Sequence, residues 1–175
     1  RHGQAEAVRL LLEAGASVGA ADGDDASALL LACEKECREC VQLLLEANAA
    51  VNQASDDGFT PLLIACQQGH LEIARLLLEA GAAVSQANDG ATPLYMACWD
   101  GKVECVRLLL EAGAAVNETQ HDGSTPLLIA CQNGQLECAR LLLAAGAAVE
   151  QAKDNGATPL FIACQEGQLL SLIHI

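Results

Sequence analysis

The chain has 175 residues and a formal net charge of −14, with 9 Lys and Arg against 23 Asp and Glu; 52% of it is hydrophobic and only 2% aromatic. That balance argues against nucleic acid, which rewards clustered Lys and Arg, and no run of about 18 apolar residues offers a membrane span. With so few rings, Ala, Leu and Val must build the core, which suits helices packed closely by small side chains.

Residues Arg1 to Ala14 read as the second helix of a unit whose first half is absent. The opening residues RHGQAEAVRLLL lack the apolar core and cleavage site of a signal peptide. Gly3, Glu6 and Arg9 match Gly69, Glu72 and Arg75 further along. A partial unit thus covers 1–24. The unit 25–57 is the least regular. In it Asp25 takes the place of an opening glycine, Ala28 that of a proline, and Glu36 that of an inter-helix glycine. Asn48 follows the second helix where glycine stands elsewhere, and Asn tolerates the left-handed conformation expected there. Regular units follow at 58–89, 90–122 and 123–155, and a partial one at 156–175. Their opening residues Gly58, Gly90, Gly123 and Gly156 lie 32, 33 and 33 residues apart. Self-similarity at this period predicts a stacked solenoid in which each unit touches only its neighbours.

One unit shows the local logic. Thr60 supplies an N-cap hydroxyl, and Pro61 sits in the first turn, where a missing N–H costs nothing. Leu62 to Cys66 make a short apolar helix, and Gly69 breaks it. A second helix is predicted from about His70 to Ala80, ended by Gly81. Ala82 to Asp89 then return in an extended, turn-rich form.

The run G-x-T-P-L, then A-C-x-x-G, then L-L-L-E-A-G-A-x-V-N resembles the ankyrin repeat, in register over nearly the whole chain. The resemblance implies an all-α ankyrin-repeat solenoid of L-shaped units, with hairpin tips and first helices lining a concave face. Two departures stand out. The family's His after T-P-L is replaced by Leu30, Leu63, Tyr95, Leu128 and Phe161, so a hydrogen-bonding side chain becomes a packing one. The family's Asp three residues before the glycine is Ser55, Ala87, Gln120 and Lys153, which predicts hairpin turns less rigidly tied. After Leu169 the pattern fails. Leu170 to Ile175 read as a non-native end rather than a divergent cap, which would carry a polar outer face.

Nine cysteines look like a disulfide set, but the count is odd and their positions are telling. Cys33, Cys66, Cys98, Cys131 and Cys164 share one repeat position. Packed helices lie about 8–10 Å apart, whereas a disulfide needs Cα atoms within about 4.4–6.8 Å. This ladder cannot be bridged rung to rung. It is expected to be buried thiols in a reducing compartment, cytoplasmic or nuclear. Cys33, Cys37 and Cys40 spell C-x3-C-x2-C, which resembles the cluster-binding signature of radical S-adenosylmethionine enzymes. The plainer reading is stronger: Cys33 belongs to the ladder, Cys40 aligns with Cys105 and Cys138, and only Cys37 is extra. The histidines His2, His70, His121 and His174 fall at unrelated repeat positions and read as solvated surface residues, without a zinc set. Asp22, Asp24 and Asp25 read as an acidic turn, not a calcium loop. Glu6–Arg9, Glu72–Arg75, Glu104–Arg107 and Glu137–Arg140 read as a solvated outer face. No metal, no cofactor and no catalytic set is expected.

The resemblance also places partner contacts beside the opening glycine and before the inter-helix glycine. Carried over by position, these are Asp56, Asp57, Phe59, Gln67 and Gln68; Asn88, Asp89, Ala91, Trp99 and Asp100; His121, Asp122, Ser124, Gln132 and Asn133; and Asp154, Asn155, Ala157, Gln165 and Glu166. These positions vary between otherwise near-identical units, so packing leaves them free. Phe59 and Trp99 are predicted exposed aromatics, the usual anchors of a hot spot. The expected function is a non-catalytic, monomeric protein-binding module taking a protein partner, one with a basic segment, with no nucleic acid and no membrane. Because the chain opens inside a repeat, the alternative is the targeting half of a larger kinase or ubiquitin-ligase component. Asn52 and Asn117, in A-V-N, resemble hairpin asparagines that are hydroxylated in some members.

Overall fold

The computed structural model describes residues 2–20 and 26–167. The acidic turn at 21–25 and the divergent tail at 170–175 lie outside these described residues. Within them the chain forms α1 (His2–Glu13), α2 (Ala28–Glu34), α3 (Arg38–Glu46), α4 (Pro61–Gln68), α5 (Leu71–Glu79), α6 (Pro93–Trp99), α7 (Val103–Glu111), α8 (Pro126–Gln132), α9 (Leu136–Ala144) and α10 (Pro159–Gln165). None of these helices is long and apolar enough to cross a membrane. The helices form two layers. First helices α2, α4, α6, α8 and α10 stack in chain order, and α1, α3, α5, α7 and α9 stack beside them. Within each full unit the first helix packs on the second. This is the solenoid that the period predicted.

Local chemistry starts every first helix. The hydroxyls of Thr60, Thr92, Thr125 and Thr158 accept from the N–H groups of Leu63, Tyr95, Leu128 and Phe161 at 3.1–3.3 Å. Ser27 does the same for Leu30 at 3.2 Å, so the irregular unit keeps its cap although Ala28 replaces the proline. Each such cap stabilises by about 1 kcal/mol. Second helices start differently. Cys37, His70, Lys102 and Gln135 stand at their N-caps without a side-chain cap bond. Glu39, Glu72, Glu104 and Glu137 occupy the first turn instead, where a carboxylate complements the helix dipole. Three of the four expected outer-face pairs form, the exposed Arg9–Glu6, Arg107–Glu104 and Arg140–Glu137 at 3.5–3.7 Å. Asn48 takes the left-handed conformation (φ 62°), and Glu36 adopts it too (φ 54°).

The core follows the repeat. Leu30, Leu63, Tyr95 and Leu128 are buried, so the residue replacing the family's His does pack inside. Phe161, at the same position in α10, is exposed. The cysteine ladder is buried at Cys33, Cys66, Cys98 and Cys131, but Cys164 is exposed, contrary to expectation. Its helix α10 stacks on α8 and lacks a further first helix among the described residues. Burial pushes the Cys33 thiol up to about 12 and that of Cys131 up to about 11. Cys66 shares a hydrogen bond with Cys105, and Cys98 with Cys138; that bond, then burial, holds Cys66 and Cys98 in the thiol form. Each of these two rungs therefore reaches diagonally to the second helix of the next unit. They pack as small, inert groups.

Three of the hairpin turns keep a side-chain tie although the family's Asp is missing. In the first the tie stays at the Asp position, on Ser55, and in the other two it moves next to the opening glycine. Ser55 Oγ accepts from the Phe59 N–H at 3.2 Å, Asp122 Oδ1 from the Ser124 N–H at 2.9 Å, and Asn155 Oδ1 from the Ala157 N–H at 3.1 Å. Asn88 and Ala91 exchange two backbone bonds as an isolated bridge. Between units, Asn52 Oδ1 accepts from the Ala83 N–H and Asn117 Oδ1 from the Ala148 N–H, each at 2.8 Å. The two A-V-N asparagines thus fasten one loop to the next.

Candidate partner-binding face

The first helices present the carried-over positions as two rows. The hairpin tips precede each first helix, and the helix ends follow it. A helix of seven or eight residues separates the rows by about 10–12 Å. On the tips, Asp56, Asp57, Asp89, His121, Asp122, Asp154 and Asn155 are exposed, and Asn88 is half-buried. On the helix ends, Gln68, Trp99, Asp100, Asn133, Gln165 and Glu166 are exposed, and Gln67 and Gln132 are half-buried. The position after the opening glycine behaves differently. Ala91, Ser124 and Ala157 are buried, and Phe59 is half-buried. The turn folds this position inward. The Ser124 hydroxyl, for instance, bonds the Tyr95 side chain.

Trp99 is held in an unusual way. Its side of α6 leaves it 44% exposed. Its ring rests on that of buried Tyr95, centroids 6.3 Å apart and tilted 45°. Its backbone carbonyl, one of the orphan acceptors at a helix end, accepts from Asn133 Nδ2 at 3.0 Å and Gln135 Nε2 at 3.4 Å in the next unit. The backbone is therefore fixed by two amides while the ring stays open to solvent. Phe59 lies before α4 and Trp99 closes α6, so these two aromatics stand at opposite ends of successive first helices.

Between the rows runs an apolar stripe that reading the sequence missed. Leu31, Ile64 and Met96 share one repeat position; Leu31 is exposed, and Ile64 and Met96 are half-buried. Ile129 and Ile162, at the same position, are buried. Met96 lies three residues before Trp99, on the same helix face. The signal was present as the residue preceding each A-C pair, but an apolar residue inside an apolar helix reads as core.

The tips carry the charge. His121 Nε2 lies 3.2 Å from Asp89 Oδ1, and Lys153 Nζ 2.8 Å from Asp122 Oδ2, each reaching back to the preceding unit. His70 is not a solvated residue: its side chain is largely covered, and Nδ1 lies 3.7 Å from Glu36 Oε1. The hydrogen bond from Lys153, then that from Ser124, lowers the Asp122 carboxyl to about 2. Burial, then the Asp122 charge, pushes the Tyr95 phenol up to about 12, against a hydrogen bond from Ser124 that lowers it. Lys153 answers Asp122, while Asp56, Asp57, Asp100 and Asp154 stay exposed as acidic groups.

The family model described as Ankyrin repeats (3 copies) matches residues 1–55, 48–120 and 112–173. None of the curated proteins compared with the chain matches it. Capped short first helices, acidic-turn second helices and hairpin returns in register, together with a family match over nearly the whole length, establish that this chain belongs to the ankyrin repeat family.

Proposed function

We propose that the chain is a non-catalytic, monomeric module that captures a protein partner on its first-helix face, with Trp99 as the anchor and a basic segment of the partner along the acidic tips. Ankyrin repeats are generally protein–protein interaction modules, and their domains are typically non-catalytic. The observation that carries the reading is the fixed backbone and open ring of Trp99. An anchor held in place before binding loses little freedom on binding. Met96 shares the helix face of the ring, Ile64 and Leu31 continue that position along the two preceding units, and Asp100 stands exposed next to it. Asp122 and Asn133 contribute by holding the frame, since both already bond within the stack. The free buried thiols Cys33, Cys66, Cys98 and Cys131 fit a reducing compartment, cytoplasmic or nuclear.

The exposed 44% of a tryptophan corresponds to about 110 Å² of its roughly 250 Å². Covering it is worth about 3 kcal/mol, or about 100-fold in Kd. The test is side-by-side affinity capture with wild-type protein and Trp99→Ala, followed by titration of the captured partner at rising salt. Loss of capture by the variant, and a wild-type Kd that weakens with salt, are the expected results. Equal capture by a folded Trp99→Ala protein would remove Trp99 from the site, and a salt-independent Kd would remove the basic segment.

A further inference from the structure

The unit 25–57 differs from the others at one chemically consequential place. Where His70, Lys102 and Gln135 cap the later second helices, this unit has Cys37, and the structure joins it to Cys40. Cys40 itself is ordinary, since Cys105 and Cys138 occupy the same position as free thiols. Helix geometry explains the pairing. The N-cap side chain and that of the third helical residue face each other, the relation used by a capping box. Cysteine at both places brings the sulfurs together, with Cα atoms 5.3 Å apart, inside the range a disulfide needs.

We propose that Cys37-Arg38-Glu39-Cys40 is a thiol–disulfide exchange site that cycles with a small thiol/disulfide couple of the glutathione class. Three observations support exchange over a permanent staple. Two residues separate the cysteines, and so short a loop restrains the unfolded chain least. Cys37 stands at the N-terminus of the nine-residue α3, where the helix dipole stabilises a thiolate. A cleft of about 460 Å³ is lined by Glu36 and Arg38, the residues on either side of Cys37, with His70 and Glu72 of the next unit, while the cysteines themselves lie behind its wall. Cys37 and Cys40 are only 7% and 6% exposed, so exchange requires the start of α3 to open locally toward this cleft, and a small thiol suits that opening better than a protein.

The chemistry balances as two displacements. A small thiolate attacks Cys37 Sγ; the Cys37–Cys40 bond breaks, and Cys40 leaves as a thiolate that takes a proton. A second small thiolate attacks the small sulfur of this mixed disulfide and releases Cys37. Two small thiols have then given two electrons and two protons to the pair, and one small disulfide departs. Oxidation runs the same steps backwards.

The full chain should be equilibrated in buffers of varied reduced-to-oxidised glutathione ratio, quenched in acid, unfolded, alkylated and mapped by mass spectrometry. The peptides carrying Cys37 and Cys40 are expected to pass from unlabelled to doubly labelled as reduced glutathione rises, and back on reversal, while Cys164 supplies an exposed single-thiol control. Cys40→Ser should accumulate one glutathione on Cys37. Cys37→Ser, which places a good capping residue at the N-cap, should keep the helical circular dichroism and lose the transition. A pair oxidised at every ratio would make it a structural staple and overturn the proposal; a pair labelled at every ratio would overturn it equally.

Discussion

Replacing Gly123 by Ala isolates the close approach of one unit to the next. At Gly123 the backbone is left-handed (φ +78°), and an added Cβ would fall 2.8 Å from Asp154 Oδ1, 3.1 Å from the Asp154 N and 3.1 Å from the Lys153 Cα. The last two are backbone atoms of the next hairpin. They cannot withdraw freely, because the Asp154 N–H donates to the Asp122 carbonyl at 2.9 Å. Gly113 is the control: it is left-handed too (φ +85°), but a Cβ there meets nothing within 4 Å. Both substitutions incur about 1–2 kcal/mol for the left-handed backbone. Both recover about 0.4–1 kcal/mol from a stiffer unfolded chain. Gly113→Ala should therefore destabilise by about 1 kcal/mol. Gly123→Ala adds overpacking against backbone, about 1–3 kcal/mol, for a total of about 2–4 kcal/mol. Urea unfolding followed by circular dichroism measures the difference, and hydrogen exchange should localise the extra loss to the 150–167 segment, as nearest-neighbour coupling requires. Equal destabilisation by the two variants would refute the claim that the opening glycine is there for inter-unit contact.

Asn117→Ala should cost about 1–2 kcal/mol, because it leaves the half-buried Ala148 N–H without its acceptor. Asn117→Asp, which keeps an acceptor oxygen, should recover most of that loss in the same urea titration. The Asp122 carboxyl is lowered in the folded state to about 2 from 3.8 by Lys153 and Ser124. Its contribution is thus present above about pH 4 and lost as pH falls toward 2. The carboxylate is 48% exposed, so screening holds the effect below about 1 kcal/mol. Asp122→Asn should flatten this part of the stability curve, and an unchanged acid slope would count against the pair.

Much of the architecture could be read from residues that act on their own neighbours. Thr60, Pro61 and the following apolar run specify a capped helix wherever they occur, and their recurrence every 32–33 residues specifies a stack. Asn48 was legible for the same reason, as a left-handed residue is a local matter. The face was only partly legible. Variation between units located the tips and helix ends, but it placed Ala91, Ser124 and Ala157 outside when the turn folds them in. It also read Asp122 as a contact left free for a partner, although its carboxylate ties its own turn and the next unit's Lys153. Leu31, Ile64 and Met96 were hidden because an apolar side chain carries no label for which side of a helix will be covered.

The amino-acid order by itself determined the helices, their caps, the period and hence the family, since each depends on contacts within a few residues or on repetition. Tertiary structure alone decided which side chains face outward, that Asn52 and Asn117 fasten adjacent loops, and that Cys37 meets Cys40. Those outcomes depend on the distance and angle at which helices and turns are set against one another. Neither is written in the chemistry of a single residue.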